Sequence, residues 1–152
     1  MQIIETSLIF NRPLARRRTT KRIVLHHTVS GDVSAATVHG WHLRNRGWGG
    51  IGYHYLVRTN GDIERGRPEN TRGVHAPTAN ADSIAIVLAG NFSQTRPTLR
   101  QIVALTWLIR DIRGRHPHWE DLPVVGHKDV GATECPGTLF PWDTLQGRLR
   151  EA

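Results

Sequence analysis

The run Ile84-Ala85-Ile86-Val87-Leu88-Ala89 constrains the fold more than any other stretch of the chain. It has the length of a strand, is rich in β-branched residues and shows no polar alternation, so a strand here needs cover on both faces. Gly90-Asn91 closes it. The cover comes from segments with helical spacing. Thr98-Leu99-Arg100-Gln101 has the capping-box pattern, and Ile102, Leu105, Leu108, Ile109 and Ile112 follow at helix period up to Gly114. Ser34 to Asn45 places Val38, Trp41 and His42 on one helical face, and Trp142 to Leu149 is expected to close the chain as a further helix. Ile23 to Val29 precedes all of these as a second buried strand, and Pro123-Val124-Val125-Gly126 is a short third. Tyr53 to Arg58 and Ile63-Glu64 flank Thr59-Asn60-Gly61-Asp62, where Asn-Gly suits the positive φ of a tight hairpin turn. Strands interleaved with helices predict an α/β fold: one domain, a mixed central β-sheet with helices packed on it.

A chain of 152 residues is long enough for a real core without covalent staples. Residues 1–19 read as a polar, basic lead-in, and 20–152 as the folded domain. Cys135 is the only cysteine, which excludes an intrachain disulfide and the disulfide-framework class. Twenty Lys and Arg against 13 Asp and Glu give a formal charge of +7. That field attracts polyanions of any kind, whether nucleic acid, anionic membrane or anionic cell wall, and Arg16 to Arg18 with Lys21 and Arg22 would serve all three. No apolar run reaches the length of a membrane span, and the opening MQIIETSLIF, which carries Glu5 and lacks a basic start, is not expected to act as a signal peptide.

Nine histidines beside one cysteine direct attention to zinc, for which imidazole and thiolate are preferred ligands. His26 or His27 ends the first long strand, His127 follows a later one, and Cys135 lies in the loop Gly131 to Gly137. Two histidines and a cysteine make three ligands, which leaves a coordination position open as catalytic zinc requires. Successive strand side chains point to opposite faces, so only one of His26 and His27 can aim into a given site, and spacing does not choose between them.

The order of several motifs narrows this. Ile-Val-Leu-His-His-Thr at 23–28, Gly-Ile-Gly-Tyr-His-Tyr at 50–55, Gly-Val-His-Ala at 73–76, Asn80, Ser83-Ile84, Gly90-Asn91-Phe92 and Gly-His-Lys-Asp-Val-Gly-Ala-Thr-Glu-Cys-Pro-Gly at 126–137 resemble one family over roughly residues 20–150. It is the type-2 N-acetylmuramoyl-L-alanine amidases, which include phage lysozyme-type amidases and catalytic peptidoglycan recognition proteins. The resemblance implies one Zn2+ per chain held by His26, His127 and Cys135, with Tyr53 as the catalytic tyrosine. It implies cleavage of the amide between N-acetylmuramic acid and the L-alanine of the stem peptide. Thr133 stands where phage members carry a lysine and recognition proteins commonly a threonine, so its hydroxyl would donate to a developing oxyanion without a cation's field. Substrate contacts are implied for Gly47, Trp48, Arg67, His75 and Asn80. Gly47-Trp48 and Arg67 match positions that mark recognition of diaminopimelate, whose extra carboxylate a guanidinium can grip through two hydrogen bonds.

The expected partner is peptidoglycan, with no specific nucleic acid, and the expected state is a monomer. Such a chain resembles a phage or prophage endolysin, made in the cytoplasm and acting on the wall once the membrane is breached. A non-catalytic peptidoglycan-binding module and a cytoplasmic wall-recycling amidase are the alternatives; the first would lack zinc ligands, and the second usually carries other residues at the tyrosine and cysteine positions.

Overall fold

The computed structural model describes residues 1–151 and contains six strands and three α-helices. The strands are β1 (Ile3–Ile4), β2 (Arg22–His27), β3 (Tyr55–Val57), β4 (Ile63–Arg65), β5 (Ser83–Leu88) and β6 (Val124–Gly126). The helices are α1 (Ala35–Trp41), α2 (Leu99–Arg113) and α3 (Trp142–Arg150). One sheet runs in the order β1-β4-β3-β5-β2-β6. All neighbours are parallel except β3 and β4, the expected hairpin, in which Gly61 alone takes the positive φ, 93°.

The apolar run is the central strand β5, paired in parallel with β3 on one side and β2 on the other. Every residue of it is buried because both sheet faces are covered. Ile84, Ile86 and Leu88 join Ile23 and Leu25 under α2 and α3, where Leu105, Leu108, Ile109, Ile112 and Leu145 complete the main core. Each such aliphatic side chain contributes about 1.5–3 kcal/mol on leaving water. On the opposite face Val87 packs with Leu56, Ile51 and the α1 residues Ala35 and Val38. The capping box at α2 forms as expected, and the Gln101 amide also donates to the carbonyls of Val57 and Ala89, pinning the helix start to the ends of β3 and β5.

The N-terminal lead-in is woven into this domain. Ile3 and Ile4 add β1 to the sheet edge beside β4, and Arg16 bridges to Thr71. Arg17 is buried, its guanidinium donating to the Thr71 and Glu69 carbonyls and to the Thr20 hydroxyl, while Arg22 pairs with Asp82. Part of the basic cluster is thus committed to internal bonds. No helix is long and apolar enough to cross a membrane among the described residues.

The sheet's alternation decides what reaches the active face. On β2, Leu25 lies in the α2 core, and His27, two residues on, faces the same way against Phe92. Val24 and His26 point to the other face.

Candidate active site

Three chain segments meet beyond the C-terminal end of β2. His26 is its penultimate residue, buried to 1% exposure. β6 lies beside β2 and runs directly into a single 3-10 turn at His127–Asp129, which carries the His127 ring to within 4.7 Å of the His26 ring. The Asp129 carboxylate accepts from the Gly126 N–H and fixes that turn. Cys135 arrives on the loop that follows. Lys128 N–H donates to the Cys135 carbonyl, and Gly137, at φ 105°, ends the loop where a Cβ would lie 2.4 Å from the Phe92 backbone. Only glycine fits there.

One ligand atom from each of His26, His127 and Cys135 lies within 4.8 Å of the others. Cys135 Sγ is 3.7 Å from His26 Nδ1 and accepts from the His27 N–H at 3.4 Å. Burial holds the His26 pKa well below the usual imidazole range, and the neighbouring imidazoles of His75, His127 and His27 add to this; burial lowers His127 as well. Both rings are therefore neutral near pH 7, the form that binds metal. Burial pushes the Cys135 thiol up to about 11. Two bare imidazoles and one thiol at this spacing suit Zn2+, whose binding displaces the thiol proton.

Tyr53 stands beside these groups, its ring 4.9 Å from that of His26. Burial raises its pKa, with the Cys135 side chain adding to the effect, so the phenol stays protonated. Thr133 lines the same cleft, its hydroxyl oxygen accepting from the Cys135 N–H at 3.2 Å. The cleft, about 620 Å³, is further lined by His27, Thr28, Val29, Trp41, His42, Asn45 and Arg46. Another concavity, about 680 Å³, lies between the N-terminal segment and β4. Its charged groups are paired with one another or with Tyr55: Tyr55 donates to Glu69, Arg115 binds Glu69 and Arg65 binds Glu5.

The expected substrate residues divide. Trp48 packs against two cleft residues, its ring 4.7 Å from that of His42 and 5.3 Å from the Arg46 guanidinium. Gly47, at φ 63°, ends the preceding turn. Arg67, His75 and Asn80 are not brought to the cleft. Arg67 is buried, and its three nitrogens donate to the main-chain carbonyls of Ile51, Arg72 and Trp48, so it braces loops with three of its five N–H groups. Asn80 Oδ1 accepts from the N–H groups of His75 and Ala76. His75 lies behind His26, with its Nδ1 2.8 Å from His26 Nε2.

Sequence reasoning missed Trp41, Asn45 and Arg46 as cleft residues. The helix expected over 34–45 ends at Trp41 and widens into a π turn at His42–Arg46, which carries Asn45 and Arg46 to the cleft beside Trp41. A π turn has no residue signature that periodicity can read, although such turns gather at functional sites.

Residues 16–138 match the N-acetylmuramoyl-L-alanine amidase family. The chain belongs to that family. The solved N-acetylmuramoyl-L-alanine amidase LysC from Clostridium intestinale URNW has a TM-score of 0.92 to this chain at 36% identity, covering 100% of this chain and 99% of that one. Peptidoglycan-recognition protein SC2 of Drosophila melanogaster is 34% identical over 131 residues, 81% of this chain and 71% of that protein. The endolysin of Enterobacteria phage K11 is 27% identical over 129 residues, 80% of this chain and 83% of the phage protein. The chain shares its fold with both endolysins and recognition proteins.

Proposed function

We propose that this amidase is a zinc-dependent peptidoglycan hydrolase of the endolysin type. It cuts the amide between N-acetylmuramic acid and the L-alanine of the stem peptide. The observation that carries the reading is the convergence of His26, His127 and Cys135 beside the Tyr53 phenol in an open cleft. The family match and the likeness to LysC and to the K11 endolysin support the wall amide as substrate. A net charge of +7 favours capture by an anionic wall.

One Zn2+ bound by the three ligands would supply a water of lowered pKa and a Lewis acid for the scissile carbonyl. Tyr53 keeps its proton and so acts as a hydrogen-bond donor, orienting the nucleophile or meeting the oxyanion as it forms. Thr133, whose oxygen already accepts from a main-chain N–H, has its proton free for the same oxyanion. Arg46 is exposed above Trp48, and it takes the part first expected of Arg67, meeting a stem-peptide carboxylate.

The test is release of new L-alanine amino groups from purified peptidoglycan. Activity that chelator abolishes and Zn2+ restores supports the reading. Binding to the wall with no amide cleavage would make the chain a recognition module instead.

A further inference from the structure

Behind His26 a chain of hydrogen bonds leads away from the cleft. His26 Nε2 is 2.8 Å from His75 Nδ1, His75 Nε2 is 3.0 Å from Ser83 Oγ, and Ser83 Oγ is 2.6 Å from the Ala79 carbonyl oxygen. All three side chains are buried, Ser83 completely. The far end fixes the direction of every bond. A carbonyl oxygen has no proton, and two oxygens at 2.6 Å need one between them, so the single hydroxyl proton of Ser83 points to Ala79. Ser83 Oγ must then accept, which places the His75 proton on Nε2. A neutral imidazole carries only one N–H, so His75 Nδ1 is bare and can only accept. The bond at 2.8 Å therefore takes its proton from His26 Nε2, and His26 Nδ1 is left bare. That is the nitrogen that faces Cys135 Sγ. Asn80 holds the main chain at His75 and Ala76, so the middle ring of the relay is anchored from its own loop.

We propose that Ser83 and His75 are positioning residues that set the tautomer of His26, so that its Nδ1 is presented unprotonated before a metal arrives. The consequence for metal rests on the zinc reading above; the order of protons does not. With Ser83 removed, the His75 proton has no partner at Nε2 and can move to Nδ1. His26 must then accept at Nε2 and carry its own proton on the nitrogen that faces the cleft. Partners of this kind behind a ligating histidine typically affect metal affinity by about 10–100-fold.

The experiment is long-range 1H–15N correlation on the metal-free full chain, which reports the tautomer of each histidine, with Zn2+ affinity measured by chelator competition. In the wild type, His26 and His75 are both expected as the Nε2–H tautomer. In Ser83→Ala the His26 pattern shifts toward Nδ1–H and Zn2+ affinity falls about 10–100-fold, with the far-UV circular dichroism unchanged. A wild-type His26 protonated on Nδ1, in a chain that binds Zn2+, overturns the relay alone. Unchanged affinity and tautomer in a folded Ser83→Ala also overturn it. A wild type that takes up no Zn2+ overturns the zinc reading, and the tautomer spectrum then judges the relay separately.

Discussion

The histidines at the end of β2 and β6 and those of α1 and the β3 loop are the same side chain put to opposite uses. His54 donates from Nε2 to the Thr71 carbonyl and accepts at Nδ1 from the Ala85 N–H. His39 donates to the Ile9 carbonyl and accepts from the Ile51 N–H. Each spends both nitrogens on main chain and acts as a rivet between separate chain segments. His26 spends one nitrogen on His75, keeps the other facing Cys135, and has His127 beside it. His26 thus differs from the rivets in keeping one ring nitrogen off the main chain and turned to the cleft.

The largest effects should come from breaking the cleft set. His26→Ala, His127→Ala and Cys135→Ala are each expected to abolish amide hydrolysis and Zn2+ uptake while the chain remains folded, as read by circular dichroism. His27→Ala should keep its zinc, because that ring faces Phe92 and accepts from the Phe92 N–H. Next comes Tyr53→Phe, which keeps the ring and the metal and should lower kcat by about 10²-fold, the worth of one transition-state donor. Thr133→Ala should cost less, since its hydroxyl sits on an exposed loop.

The rivets predict a different loss. His54→Gln should retain Zn2+ and activity per folded molecule yet lose about 2 kcal/mol of stability in urea unfolding, through buried main-chain groups left unsatisfied. Burial pulls the His54 pKa down to about 3 and the His42 pKa to about 4. Below pH 6.5 the unfolded chain takes up protons that the folded chain refuses, so stability is full above 6.5 and declines as pH falls toward those values. His54→Gln should flatten that decline by one proton. A slope identical to wild type would mean that His54 is not held neutral.

The smallest expected effect concerns substrate choice. Arg46→Ala should lower kcat/KM by about tenfold on stem peptides with an additional side-chain carboxylate, the scale of one hydrogen bond to a charge, and leave lysine-type peptides unchanged. Arg67→Ala should instead lower stability with no change in preference, because its guanidinium is buried and donates to three main-chain carbonyls. Discrimination that follows Arg67 would reverse this assignment.

Much of this was legible in the residues. The unbroken apolar run announced a strand buried on both sides, and the Thr98-Gln101 pattern marked the start of α2, because both signals are local. His26, His127 and Cys135 could be picked out from ligand chemistry and motif order, although spacing alone left His26 and His27 equivalent until the pairing of β2 set their faces. Strand β1 was hidden because two residues against a sheet edge carry no periodicity. Ser83 entered only through the Ser83-Ile84 motif, and Arg67 as a ligand for a carboxylate, because the turns that bring their partners to them carry no periodicity.

Zinc content per chain across the two sets of histidines tests the central claim most directly. Elemental analysis of protein equilibrated with Zn2+ and freed of excess metal should give one ion per wild-type, His39→Gln and His54→Gln chain. It should give none in the His26, His127 and Cys135 variants. Zinc retained without Cys135 or His127, or lost from a folded His54→Gln, would contradict the account.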